Sequence, residues 1–255
     1  NELMSLSRKK GIKEIDLIIW PETSLNIDLN RVGEKEKIFR DFINDNNSVI
    51  VGAIRKEYLN NKMKIYNSLF LFNAESKAIL IHDKAKLVPF GEFIPFKKIL
   101  KLDKLTNGSK DFSKGNIVKS MEIKNGLSLL PLICYEVIFP NLTKKNQKYD
   151  FIVNITNDGW YGYSFGPYQH LALARIRAVK EGKTLLRVAN TGISAVINYN
   201  GNIIASLDLN KKGIIDKNIK LIEKNTLYKK YGDGLFYGLI GVLCLYLLIF
   251  YRIPR

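Results

Sequence analysis

Metal-binding and disulfide-forming side chains are scarce in this chain: its 255 residues hold 2 histidines and 2 cysteines. His82 and His170 belong to no C-x-x-C or H-E-x-x-H spacing, so both are read as structural, and no metal or cofactor is expected. Cys134 follows a strand-like run while Cys244 sits inside a long apolar stretch, so no structural disulfide is expected between them. Negative charge is short as well: 24 acidic residues against 40 Lys and Arg leave a net charge of +16. That balance raises two partner classes, nucleic acid and anionic membrane surfaces. Basic arms and aromatic–basic RNA-binding signatures are missing, and the lysines are scattered, so nucleic acid is not expected as a partner. Internal repeats, low-complexity tracts and a signal-peptide pattern are missing too. The chain has 46% hydrophobic and 25% charged residues, the profile of a folded protein with room for one large domain or two small ones.

One uncharged run stands out. Leu235 to Tyr251 reads LFYGLIGVLCLYLLIFY, with aromatics near both ends and Arg252-Ile253-Pro254-Arg255 beyond it. At ~1.5 Å per residue it would rise roughly 26 Å, close to the hydrocarbon thickness of a bilayer. A core helix would show a polar stripe and this one shows none, so a single C-terminal transmembrane helix is expected. Arg252 and Arg255 argue for a cytoplasmic C-terminus and a main domain on the outer side, whereas Lys229 and Lys230 on the other flank weaken that orientation. The expected division is therefore a domain over residues 1–228 and a membrane segment with a short tail over 229–255.

Ahead of that run, short apolar segments alternate with helical ones. Strands are expected at Ile15–Ile19, Val49–Ile54, Ser68–Phe72, Ala78–Ile81, Leu127–Ile133, Phe151–Ile155, Thr184–Val188, Ile193–Tyr199 and Ile203–Leu207. Asn200-Gly201 reads as a two-residue hairpin turn. Helices are expected over Glu34–Asn44 and Gly166–Lys180, the second with Leu171, Ala174, Ile176 and Val179 on one face. Lys97–Asn116 is polar and reads as a surface excursion. The pattern is that of a layered α/β domain.

Three chemically complementary residues fall at strand ends. Glu22 lies in W-P-E-T-S, Lys84 in I-H-D-K-A-K, and Cys134 in P-L-I-C-Y-E, with a helix expected to start near Glu136. Loops at the carboxyl ends of strands converge on a rigid sheet, which is where catalytic groups gather. Helix N-terminal amides would lower the thiol pKa, an acid would take its proton, and a lysine would stabilise an oxyanion: acyl transfer through a thioester. Each residue alone also has a plain reading. Glu22 would be solvated after a strand-ending proline, Cys134 a small core residue, and Lys84 a solvated surface charge.

W-P-E-T-S, D-K-A-K-L-V-P-F-G-E-F-I-P and I-C-Y-E resemble the three signature blocks of the nitrilase (carbon–nitrogen hydrolase) superfamily, in its order Glu, Lys, Cys. N-D-G-W-Y-G (157–162), G-P-Y-Q-H-L-A-L-A-R-I-R-A-V (166–179) and R-V-A-N-T-G-I-S-A (187–195) resemble its bacterial apolipoprotein N-acyltransferase branch. The resemblance implies an α-β-β-α sandwich with Glu22 as general base, Lys84 as oxyanion stabiliser and Cys134 as nucleophile. Glu92 matches a second acid that orients the lysine. Tyr135 and Glu136 match residues beside the nucleophile, the Tyr135 backbone N–H helping to hold the oxyanion. The implied donor is a membrane phospholipid and the implied acceptor the diacylglyceryl-cysteine of an apolipoprotein, at the periplasmic face of the bacterial inner membrane. Apolar residues in Phe90–Phe96 and Trp160–Phe165 would line the lipid entry.

Members of that branch carry membrane helices and a first sheet strand ahead of the W-P-E block, and this chain begins just before the block. It is thus a piece of a longer protein, a split-gene product completed by a separate chain bearing the helices, or a remnant. Two other functions stay open: a membrane-anchored amidase with water as acceptor, and a non-catalytic scaffold in which replacing Cys134 changes nothing.

Overall fold

The computed structural model describes residues 2–8, 11–25, 39, 43–44, 47–73, 78–95, 111–123, 126–143 and 147–250. Most of the expected Glu34–Asn44 helix and Lys97–Asn116 excursion, together with Phe96, Arg252 and Arg255, lies outside the described residues.

Two sheets stack face to face. The first has the order β1 (Leu17–Ile19), β2 (Ser48–Leu59), β3 (Lys62–Phe72), β4 (Ala78–Asp83), with β1 parallel to β2 and the rest antiparallel. The second sheet holds β5 (Met121–Glu122), β6 (Ser128–Ile133), β7 (Phe151–Asn157), β8 (Thr184–Asn190), β9 (Ser194–Ile197) and β10 (Ile203–Leu207). They lie in reverse numerical order, with β6, β7 and β8 parallel to one another.

Both sheets are apolar on both faces because side chains alternate across a strand. Ile50, Leu69 and Leu71 of the first sheet meet Leu129, Ile133, Phe151, Val153 and Ile155 of the second in one inter-sheet cluster. Their neighbours turn outward. Val49, Val51, Phe70 and Phe72 pack with Phe39 and with Leu3 and Met4 of α1 (Glu2–Ser7). Leu130, Leu132 and Ile152 pack with Leu171, Ala174 and Ala178 of α2 (Gly166–Glu181). Helix, sheet, sheet, helix is therefore the layer order, as expected.

Three local expectations are corrected. The buried face of α2 is Pro167, His170, Leu171, Ala174, Arg177 and Ala178, the i, i+3, i+4, i+7 set, while Ile176 and Val179 are exposed. The β9–β10 hairpin turns on Tyr199-Asn200 with Gly201 at φ +81°. Gly201 N–H donates to Asn198 O at 2.8 Å, which makes a three-residue loop instead of a two-residue one. The first sheet also has a longer hairpin than its apolar core indicates: β2 and β3 run out to Leu59 and Lys62 around Asn60-Asn61, both left-handed.

After β10 the chain crosses back to α2, where Thr226 Oγ1 donates to Lys180 O at 2.6 Å, and enters α3 (Leu227–Tyr231) and α4 (Gly234–Phe250). α4 coincides with the expected membrane span. Its 17 residues rise about 25 Å, short of a ~30 Å hydrocarbon core. No helix among the described residues is long and apolar enough to cross a membrane. None of the α4 side chains is buried.

Candidate active site

The three strand ends meet between the sheets. Trp20-Pro21-Glu22 leaves β1 and lies over β2: Trp20 N–H donates to Ile50 O at 2.8 Å, Leu25 N–H to Gly52 O at 3.2 Å and Ser24 Oγ–H to the same oxygen at 3.1 Å. A Cβ on Gly52 would stand 2.5 Å from Pro21 O, so only glycine lets the loop settle this close. Glu22 is buried as a result, which removes the solvated reading.

Lys84 follows β4. Its own N–H donates to Asn67 O at 2.8 Å, and the preceding Asp83 is held in the fork of Arg55 at 3.0 and 2.6 Å. The ammonium is 1% exposed, with Nζ 2.9 Å from Glu92 Oε1 and 3.4 Å from Glu22 Oε1. Asn67 on β3 ties the same two carboxylates from another side, donating from Nδ2 to Glu22 Oε1 at 2.6 Å and to Glu92 Oε1 at 3.0 Å. Glu92 Oε2 is fixed by the Val88 N–H at 2.8 Å. Burial opposes the Lys84 charge, but the Glu22 and Glu92 carboxylates outweigh it and raise its pKa above the ordinary lysine value. The lysine is therefore a permanent cation.

Cys134 ends β6 in the left-handed region, φ +50°, and is buried in the inter-sheet cluster. The chain continues from it as a five-residue 3₁₀ turn, Cys134–Ile138, instead of the expected helix. Thiol activation by a helix N-terminus is thereby corrected. Burial and then the Glu22 charge push the thiol up to about 12, with Lys84 and hydrogen bonds from Thr156 and Asn157 only partly offsetting them. At neutral pH the resting sulfur keeps its proton and needs a base. Across the site, Glu22 Oε2 is buried with no hydrogen-bond partner among the described residues.

Glu136 occupies the turn itself and is fully buried. It accepts from Ala85 N–H (2.6 Å), Lys86 N–H (3.3 Å) and Ile133 N–H (2.8 Å), with His82 Nε2 at 2.9 Å. Burial acts against its charge, yet His82 and the amides hold it below the ordinary carboxylate value. Tyr135 is half-buried, its ring edge-on to Phe139 at 4.9 Å. Trp160, Tyr161, Tyr163, Phe165 and Phe90 are exposed. Cys134 and Cys244 are both free thiols, the first buried and the second exposed on α4.

Sequence reasoning missed Asn67. Its signal was a buried-type strand broken by one amide, Tyr66-Asn67-Ser68, but an amide in a strand is uninformative until its partners are known.

A twin-sheet sandwich with a buried carboxylate–lysine cluster facing a strained strand-end cysteine defines a class of thiol-dependent amide and acyl chemistry. The family model for carbon–nitrogen hydrolases matches residues 2–224, and the chain belongs to that family. It is 34% identical over 254 residues to the apolipoprotein N-acyltransferase of Rhodopseudomonas palustris, covering 97% of this chain and 47% of that one. With the apolipoprotein N-acyltransferase of Rhizobium leguminosarum bv. trifolii it shares 38% over 224 residues, 86% of this chain and 42% of the relative. The chain thus spans less than half the length of these curated relatives. Among solved structures, a CN-hydrolase superfamily protein from Xanthomonas campestris superposes with a TM-score of 0.57 at 18% identity, covering 82% of this chain and 78% of that one.

Proposed function

We propose that this chain is the catalytic part of an N-acyltransferase that moves a fatty acyl group from a phospholipid to the N-terminal diacylglyceryl-cysteine of apolipoproteins. The proposal is carried by one juxtaposition: the bare Glu22 Oε2, the cationic Lys84 and the buried Cys134 thiol in one inter-sheet site. The two relatives described above are named apolipoprotein N-acyltransferases, which supports an apolipoprotein as acceptor.

In the first half-reaction Glu22 takes the thiol proton as sulfur attacks the ester carbonyl. Lys84 Nζ and the Tyr135 N–H hold the oxyanion, worth a factor of about 10² to 10³ per donor in comparable sites. The carbon–oxygen bond breaks, and the lysophospholipid alkoxide leaves with the proton from Glu22. In the second, the acceptor amine attacks the thioester, Glu22 receives the amine proton, and the carbon–sulfur bond breaks as Glu22 passes that proton to the leaving sulfur. Glu92 and Asn67 keep Lys84 and Glu22 in place throughout.

Lipid supply is read from the surface. Residues 1–228 form the catalytic domain and 229–255 its bilayer anchor, because α4 offers only apolar side chains and buries none of them. The exposed aromatics of Trp160–Phe165, together with Phe90, line the lipid entry. The catalytic domain faces the periplasm at the bacterial inner membrane, and its positive charge favours anionic headgroups by about 1 kcal/mol per nearby cation.

Intact-mass measurement of the chain incubated with phospholipid tests this. One acyl adduct is expected, absent in Cys134→Ser and removed by a lipopeptide amine. An adduct removed only by water, with release of free fatty acid, points to hydrolysis instead. No adduct on folded protein rejects the mechanism.

A further inference from the structure

Behind Cys134 lies a second polar cluster that the acid–lysine–thiol chemistry leaves unused. Asn154 on β7, Asp158 in the turn after it, His170 on α2 and Arg187 on β8 are each at most 2% exposed. Two donors from this cluster converge on a single acceptor, the backbone carbonyl of Cys134: Asn154 Nδ2 at 3.3 Å and His170 Nε2 at 3.3 Å. Each donor is aimed by another member. Arg187 Nη1 donates to Asn154 Oδ1 at 2.8 Å, which fixes the amide so that its nitrogen faces Leu132 O and Cys134 O. Asp158 Oδ1 lies 2.8 Å from His170 Nδ1, leaving Nε2 turned to the carbonyl, and Asp158 Oδ2 accepts from Arg187 Nη2 at 2.7 Å. A Cβ on Gly192 would stand 2.1 Å from Asp158 Oδ2, so the cluster is closed from that side.

This is an expensive way to fill a layer that apolar side chains would fill at no electrostatic cost. A buried, fully paired polar network instead fixes one geometry. What it fixes is a residue whose left-handed backbone, φ +50°, persists only where its surroundings over-determine it. Three sequence blocks, N-D-G-W-Y-G, G-P-Y-Q-H and R-V-A-N-T-G, each contribute one member.

We infer that the Asp158–His170 pair, aimed by Arg187 and Asn154, is a positioning device that grips the Cys134 carbonyl and so holds the sulfur against Glu22 and Lys84. The inference rests on Cys134 being the nucleophile. His170 touches neither substrate nor reacting atoms; it acts through the backbone of the residue that does.

Pre-steady-state acylation by a short-chain p-nitrophenyl ester provides the test, with the full chain in detergent. Thiol attack breaks the ester carbon–oxygen bond and releases one p-nitrophenol per site. His170→Ala should lower the saturating acylation rate about 100-fold, with half-saturation changed less than about threefold, the pattern of a misplaced nucleophile. His170→Gln, whose amide nitrogen reaches the Nε2 position, should recover the rate to within about tenfold of wild type. Wild-type speed in His170→Ala, or a Gln variant no faster than the Ala one, overturns the inference. If His170→Ala does not fold, the Gln variant decides on the same tenfold threshold. Cys134→Ser separates the two levels: a burst that survives it, or no burst in wild type, rejects Cys134 as nucleophile and takes this inference with it. A wild-type burst lost in Cys134→Ser but untouched in both His170 variants rejects the inference alone.

Discussion

Glu136 Oε1 accepts the backbone N–H of Ala85 at 2.6 Å, which ties the turn carrying Cys134 to the residue beside Lys84. Its other oxygen accepts from Ile133 N–H on the far side of Cys134. One carboxylate thus spans both sheets and sets the distance between lysine and sulfur. In Glu136→Gln, whichever way the amide turns, an NH₂ group faces backbone donors, so a destabilisation of about 2–4 kcal/mol is expected from denaturant unfolding. The pH dependence has a definite sign. The folded pKa is depressed, so this stabilisation is complete above the ordinary value of 4.5 and is lost as pH falls through the folded value. The gap between wild type and Glu136→Gln should therefore shrink on going from about pH 6 to about pH 3.5. A gap that is constant or widens refutes the strut.

The Cys134 thiol and the Glu22 carboxylate oppose each other at rest, and the proposed reaction has them cooperate. After burial, the Glu22 charge is the largest cause of the thiol's rise to about 12. Glu22→Gln removes that charge, so the thiol should titrate lower than in wild type, read from the pH profile of its alkylation. The same variant loses the base, so ester acylation at neutral pH should fall by about 10³-fold. Easier ionisation with slower acylation is the signature. If both quantities rise together, Glu22 is not the base.

The apolar cores of nine strands were legible in the sequence, because strands covered on both faces, β6 above all, read as runs of apolar residues, and β10 showed itself by the hairpin turn before it. The outer halves of β2 and β3 were not: Arg55-Lys56-Glu57 and Lys62-Met63-Lys64 lie beyond the sandwich and carry charge, so only pairing across Asn60-Asn61 makes them strands. Glu22, Lys84, Glu92 and Cys134 were legible from the resemblance of their blocks, and the structure brings them to one site. The reason for Glu136 was not, since three of its four partners, His82, Ala85 and Lys86, lie at least 50 residues away in sequence. The resting state of the thiol was hidden for a similar reason. A cysteine at a strand end invites a helix after it, and only the three-dimensional chain shows a short turn and a facing carboxylate.

α4 contributes no buried side chain, and its neighbour α3 holds to α2 through Thr226 and the Lys180–Tyr228 cation–π contact at 4.4 Å. A chain ending at Asp233 should therefore melt within about 2 °C of the full chain. It should bind phospholipid vesicles at least about tenfold more weakly in co-sedimentation, since the loss of a wholly apolar helix leaves only rim aromatics and surface charge. Unchanged vesicle binding would falsify the role of α4 as the anchor, and a large drop in melting temperature would make it part of the fold instead.

Gly52 lies in close contact beneath the loop that carries Glu22. A Cβ there would stand 2.5 Å from Pro21 O, 2.7 Å from Glu22 Cα and 2.8 Å from Thr23 N, all backbone atoms that cannot rotate away. The W-P-E loop is also pinned to this residue by two hydrogen bonds to Gly52 O, so it can yield only by moving as a unit away from the sheet. Gly52→Ala should cost about 1–3 kcal/mol in unfolding free energy through this overpacking. Because the displaced unit carries Glu22, the acylation rate should drop about 100-fold while half-saturation barely moves. Gly213→Ala is the matched control: its Cβ meets only the terminal methyls of Leu207 at 3.3 Å and should stay within about 0.5 kcal/mol of wild type. Should Gly52→Ala lose stability yet acylate at the wild-type rate, the loop's close seat would matter to folding alone, and Glu22 would not depend on it for its aim.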